Sequence, residues 1–393
     1  MKRIKSIDTF RGFCIFMMLF IHFNEWWLND EDYLFFTVLD FVFAHSVGLG
    51  FVFVSGIATA LSFQSRLVKA ESSDIFNLQS VQNENKFRAL MLLGLSFNYN
   101  AGIVLISNIL KIDRFKVLNL ADLWTWNILQ TIAITLFLVA PFLKMSKTFR
   151  IIIGVILLFA SQFILALLLP YQGQNNLYGV LFHLLFNPLD QYIFLPFFSV
   201  FLIGTVVGDI IFDISKIENE NERKIALKKS FVVPLLIVGI ILIMFGILIH
   251  NSKIFPISSK GVLLRVGSLP LMIYAIGINF IAISVLFYIE EFLVIKTKKK
   301  YRFFYFYSYY SFTIYYHQFI LLFLFPDGLN IYNTLIIEGV TLFLITLLII
   351  VLYKKVGSHA SIKSQIGLIA FKIANYINKR KKLNNQNTGK SPR

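Results

Sequence analysis

Arg11 and His22 stand eleven residues apart. In an α-helix that interval is about 1100°, almost three full turns, so both side chains share one face with Cα atoms about 16 Å apart along the axis. A guanidinium near one membrane surface and an imidazole three turns further along suit a long substrate with an anionic head and a reactive tail. Acyl-CoA is such a molecule. Arginine holds phosphate in bidentate fashion, and histidine titrates close to neutrality, so it can act as a general base at the thioester end. Asp8, three residues before Arg11, offers a plainer reading in which the two form an ordinary ion pair on the helix.

Other polar groups recur at the depth of His22. Asp40 and His45 fall in the outer half of a second apolar segment, Asn127 and Gln130 in the outer third of a fourth, and His317 and Gln318 past the middle of a ninth. Ionisable groups are costly in hydrocarbon and functional by default. The cluster is therefore expected to form a polar cavity, open outward, with acid–base capacity. Asp40 could orient a histidine, as carboxylates do in catalytic dyads. The competing reading is interhelical hydrogen bonding that fastens a bundle. It suits Asn127 and Gln130 at least as well, and His45 fits a packing role. His183 and His250 fall in or beside outer loops and His359 in the tail, where they carry little weight.

These residues need long apolar elements to position them. Of 393 residues, 57% are apolar and only 15% charged, against about 25% charged in soluble domains. The expected fold is all-α, a polytopic membrane protein of about ten transmembrane helices in one bundle. The apolar segments run 12–28, 36–63, 89–110, 123–143, 151–170, 191–212, 231–250, 264–289, 303–325 and 333–353, each long enough to cross about 30 Å of hydrocarbon. The second contains Gly48, Gly50 and Gly56, which points to a tilted, kinked or re-entrant course. With the N-terminus inside, cytoplasmic segments carry 30 Lys and Arg and outer segments 6. That asymmetry sets both termini in the cytoplasm and explains the net charge of +16 without nucleic acid.

The opening MKRIKSIDTFRGF is charged and then apolar, but no small-residue cleavage site follows, so it is expected to be an uncleaved first span. Residues 1–355 are expected to form the transmembrane domain. Residues 356–383 form a basic amphipathic helix on the inner leaflet, with packing against the protein as the equal alternative, because Ile362, Ile366, Ile369, Ile373 and Ile377 recur at helical spacing. A disordered tail is expected over 384–393. Cys14 is the single cysteine, and no His/Cys/Asp group stands at ligand spacing, so no metal site is expected.

The stretch SIDTFRGFCIFMMLFIH (Ser6 to His22) resembles the first-span signature of the acyltransferase-3 superfamily, a basic residue followed after ten positions by histidine. SIDTFRG is especially similar to the heparan-alpha-glucosaminide N-acetyltransferase branch. GFVFVSGIATALS (Gly50 to Ser62), NILQTIAI (Asn127 to Ile134) and YSFTIYYHQFI (Tyr310 to Ile320) resemble further stretches of that branch. The chain departs from it at Thr131, where a basic residue is common, and after Asp40, where FVFAHSVGLG replaces a close proline–tryptophan step. His22 and His45 therefore both stay open as the catalytic imidazole.

The resemblance implies a membrane-embedded acyltransferase moving an acyl group, acetyl above all, from cytoplasmic acyl-CoA to an amino sugar or other glycan on the outer face. His22, with Asp40, His45 and His317, supplies the catalytic candidates. Arg11, Asn127, Gln130 and Gln318 supply the donor-binding ones. Expected partners are acyl-CoA, the acceptor and the lipid bilayer of the plasma membrane, with no nucleic acid; a homodimer is admissible but nothing in the sequence demands one. The alternative function is a proton-coupled transporter or flippase using the same His and Asp cluster. Internal repeats, on which many transporters are built, are not evident.

Overall fold

The computed structural model describes residues 4–39, 43, 45–71, 78–109, 123–187, 193–249, 268–292, 302–325 and 328–387. Among them every regular element is helical, apart from one isolated parallel bridge, Leu28 to Leu329. The helices are α1 (Lys5–Trp27), α2 (Tyr33–Leu39), α3 (His45–Glu71), α4 (Leu78–Ile109), α5 (Ile128–Phe142), α6 (Lys147–Leu168), α7 (Leu177–Phe186) and α8 (Phe194–Ser215), then α9 (Glu220–Leu227), α10 (Val233–Ile249), α11 (Leu269–Glu291), α12 (Arg302–Tyr309), α13 (Ser311–Leu322), α14 (Ile331–Lys355) and α15 (Ile362–Asn387). In a membrane the backbone must satisfy its own polar groups, and an apolar helix does so within one segment.

Among the described residues each of the ten apolar segments contains helix, and eight helices are long and apolar enough to cross a membrane alone. The other two depart from the expected single rods. The fourth is shortened because the Asn127 side chain accepts the Gln130 N–H at 3.0 Å and caps α5, leaving residues 123–127 outside the helix. The ninth is broken at Tyr310, between α12 and α13. Of the second, α2 and the longer α3 are described, with Asp40 to Val42 and Ala44 outside the described residues.

Helix α1 lies at the centre, against α3, α11, α12, α13 and α14. Gly12 permits its closest approach: a Cβ there would stand 1.8 Å from the Phe304 carbonyl oxygen. The α3–α8 contact is equally tight, since a Cβ at Gly56 would meet the Phe201 carbonyl oxygen at 2.3 Å. Small residues let transmembrane backbones touch, and dispersion then replaces the hydrophobic drive that lipid removes. Helix α6 is pinned by a buried ion pair, Arg150 to Asp209 on α8, to which Thr205 and Gln64 add hydrogen bonds.

Helix α14 turns Ile336, Val340, Phe343 and Leu347 outward. Two polar contacts hold its inner face. Asn24 Nδ2 on α1 donates to Glu338 Oε2 at 2.8 Å, both residues fully buried, and Thr346 Oγ1 meets the Tyr307 hydroxyl at 2.7 Å. Gly357, at φ 60°, then turns the chain in the left-handed region that favours glycine. Its carbonyl accepts the Tyr310 hydroxyl at 2.8 Å, while Ser361 Oγ donates to the Tyr309 carbonyl at 2.9 Å. The tail thus ties itself to the α12–α13 break. Helix α15 packs along α4 with Ile366, Ala370 and Ala374 buried.

Candidate active site

The segment Ser6–Gly12 is a junction of three helices. Ser6 donates from its N–H, at 2.6 Å, and from its hydroxyl to Glu290 on α11. Asp8 accepts Ser308 Oγ of α12 at 3.3 Å, and Gly12 admits the α12 backbone. Arg11 is the residue of this motif that lines a cavity of about 600 Å³ bounded by α1, α3, α4, α5, α13 and α15.

Cations and hydroxyls line the cavity. Arg66 forks onto Glu84 at 2.8 and 3.0 Å, and Arg88 meets the same carboxylate. With Arg11 and Lys363, the lining holds four cations against that one carboxylate. Ser55, Thr59, Ser62 and Arg66 follow one another along the cavity face of α3, at the three- and four-residue steps that put side chains on one helical stripe. Opposite them Ser311, the first residue of α13, is fully buried, lines the cavity, and has no hydrogen-bond partner for Oγ among the described residues. The break at Tyr310 places this hydroxyl there.

Three of the cavity's walls, α1, α4 and α13, continue to a second polar cluster. His22 Nδ1 of α1 lies 3.1 Å from Gln318 Oε1 of α13. The Tyr99 hydroxyl of α4 also faces Gln318, and its ring stacks on Tyr315 at 5.1 Å between centroids. Gln318 is 2% exposed, and its Nε2 has no partner among the described residues. As the amide is oriented, Oε1 accepts from Nδ1–H, which leaves the lone pair on Nε2 of His22. His22 is not among the cavity-lining residues. The Phe51–Phe312 edge contact, at 6.1 Å, belongs to the cavity wall and precedes Gln318 along α13.

The remaining candidates disperse. Asp40 lies outside the described residues, and of His45 only the backbone, at the start of α3, is described. His317 is exposed, with Nδ1 against the Thr313 carbonyl at 2.8 Å one turn back and its ring edge-on to Tyr316. Asn127 caps α5 and donates to Asn100 Oδ1 at 2.8 Å and Ser96 Oγ at 2.9 Å. Gln130 is fully buried, and neither amide atom has a partner among the described residues. Asn127→Ala should cost about 2–3 kcal/mol, the sum of a lost cap and buried partners left unpaired, read as a lower melting temperature with the acetyl-CoA Kd unchanged. A weaker Kd at parental stability would return Asn127 to the donor site.

The sequence profile described as heparan-alpha-glucosaminide N-acetyltransferase, catalytic, matches residues 3–250. The chain belongs to this family. No curated protein sequence matches it. Membership in this N-acetyltransferase family gives the reaction class as acetyl transfer by a membrane-spanning protein. The matched segment contains Arg11, His22 and the α3 hydroxyl stripe. Gln318, Ser311 and Lys363 lie beyond it.

Sequence reasoning passed over the α3 stripe, Ser311 and Lys363. The stripe had a signal, Ser55, Thr59, Ser62 and Arg66 at helical spacing inside an apolar run. Ser311 lies in the quoted Tyr310–Ile320 stretch, but its place on the cavity depends on a helix break that the aromatic-rich run 303–316 conceals. Among the described residues no group of three or more His, Cys, Asp or Glu is placed to hold a metal ion.

Proposed function

We propose that the protein transfers an acetyl group from cytoplasmic acetyl-CoA to the amine of an amino sugar at the opposite face of the membrane. The observation that carries this reading is the Arg11 cavity: a lining of four cations, a stripe of hydroxyls, and walls on the same three helices that hold His22, Tyr99 and Gln318. Arg11, Arg66, Arg88 and Lys363 would receive the phosphates of the donor, where charge-assisted hydrogen bonds are strongest. The pantetheine arm, with its two amides, would run past Ser55, Thr59, Ser62 and Ser311. Phe51 and Phe312 must part for the thioester to reach the level of His22.

At that level His22 Nε2 accepts a proton from the attacking amine. The C–N bond forms, the C–S bond breaks, and the proton passes to the leaving thiolate, giving CoA as its thiol. Gln318 has two tasks in this scheme. Its Oε1 fixes the imidazole tautomer, and its unpaired Nε2 is a donor for the oxyanion, a type of contact worth roughly 3 kcal/mol. The Arg11–His22 pairing follows the acyltransferase-3 pattern, and the Lys and Arg asymmetry supports placing the cavity on the cytoplasmic side.

The test uses purified protein in detergent with acetyl-CoA and glucosamine. Formation of N-acetylglucosamine with stoichiometric release of free thiol is expected. Intact acetyl-CoA alongside a panel of amino sugars and sugar alcohols would overturn the reading.

A further inference from the structure

A second cavity, of about 920 Å³, lies where the ends of α3, α8 and α11 meet the start of α1 and the short α9. It shares no residue with the Arg11 cavity. Five cations line it: Lys5, Lys69, Lys216, Arg223 and Lys224. The acids close to them are fewer. Glu290 lines the cavity but already accepts two hydrogen bonds from Ser6. Asp213 stands 3.8 Å from Lys216, and Glu220 2.8 Å from Lys224. Among the described residues lining the cavity, positive charge is in excess.

The rest of the wall is apolar, with Ile4, Val68, Ile211, Phe212, Leu227 and Phe287. The Lys216 amine sits 4.5 Å above the Phe212 ring, at the boundary between the two surfaces. A free phosphate or nucleotide has no use for that apolar wall, and a neutral lipid none for the cations. The ligand that uses both is an amphiphile with an anionic phosphate head and hydrocarbon tails. The helix ends that form the cavity bear the Lys and Arg excess of the cytoplasmic side, the depth at which inner-leaflet phosphates lie, and basic pockets between transmembrane helices on that side receive lipid head groups. We infer that this cavity binds one anionic phospholipid of the inner leaflet. The inference is independent of the donor reading.

The test titrates the protein, purified in neutral detergent, with dioleoylphosphatidylglycerol and with dioleoylphosphatidylcholine, following bound lipid by native mass spectrometry. One phosphatidylglycerol should bind at least tenfold more tightly than phosphatidylcholine. A Lys5→Ala/Lys216→Ala/Arg223→Ala variant should lose that preference, and the single Arg223→Glu change on α9 should weaken it should the triple variant prove unstable. Inorganic phosphate and CoA should fail to displace the lipid. Equal binding of the two lipids, full affinity in the variants, or displacement by CoA or phosphate would each overturn the assignment, the last by showing a soluble-phosphate site.

Discussion

His22→Ala is expected to lower kcat for acetyl transfer by a factor of about 10² to 10⁴, the usual contribution of a general base, with the KM for acetyl-CoA within about twofold of the parent. The split follows from position. His22 stands apart from the Arg11 cavity and meets Gln318 at 3.1 Å, so on the proposed scheme its removal should touch the transition state and not donor binding. Gln318→Ala is expected to fall in the same class, with a loss of about 10² to 10³, because both amide functions go at once. Steady-state kinetics on purified variants of parental melting temperature check both. Parental turnover by His22→Ala would move the base to another imidazole, with His45 next in line.

Arg11→Ala should act in the opposite sense, raising the KM for acetyl-CoA about 10- to 100-fold at nearly constant kcat. That corresponds to about 1.5–3 kcal/mol for a hydrogen bond to a charged group. Acetyl-pantetheine, which lacks the phosphates, should be used equally well by parent and variant. Arg11→Lys should recover part of the loss, since a point charge attracts phosphate but cannot fork onto it. An unchanged KM for acetyl-CoA would remove Arg11 from the donor site and leave Asp8 as its reason for being there.

The bundle was legible because hydrocarbon imposes one rule, long apolar runs that close their own hydrogen bonds, and all ten runs contain helix among the described residues. What escaped is local. Asn127 was weighed as a ligand and as a fastener, and the structure occupies its side chain with a cap and two neighbours. The break at Tyr310 was invisible because FFYFYSYYSFTIYY carries no glycine or proline; tail residues 357–361, distant in sequence, supply its hydrogen bonds. At the site, the spacing of Arg11 and His22 placed one residue on the cavity and the other beside Gln318, but the partners of each come from helices that no periodicity within α1 can name. His317 illustrates the limit of depth as a criterion: it lies one residue from Gln318, and a 100° step along the helix leaves it exposed.

Helix α14 faces lipid along much of its outward side, and hydrocarbon gives a spinning rod no preferred azimuth. The Asn24–Glu338 clasp supplies one. About 26 Å of helix separates Glu338 from Lys355, after which the Gly357 turn leads into α15 and Lys363. A rotation at the Glu338 end would thus reappear as a sideways slip of Lys363 on the wall of the Arg11 cavity. The buried carboxyl works as the key on a shaft, registering one leaflet's end of the molecule to the other's.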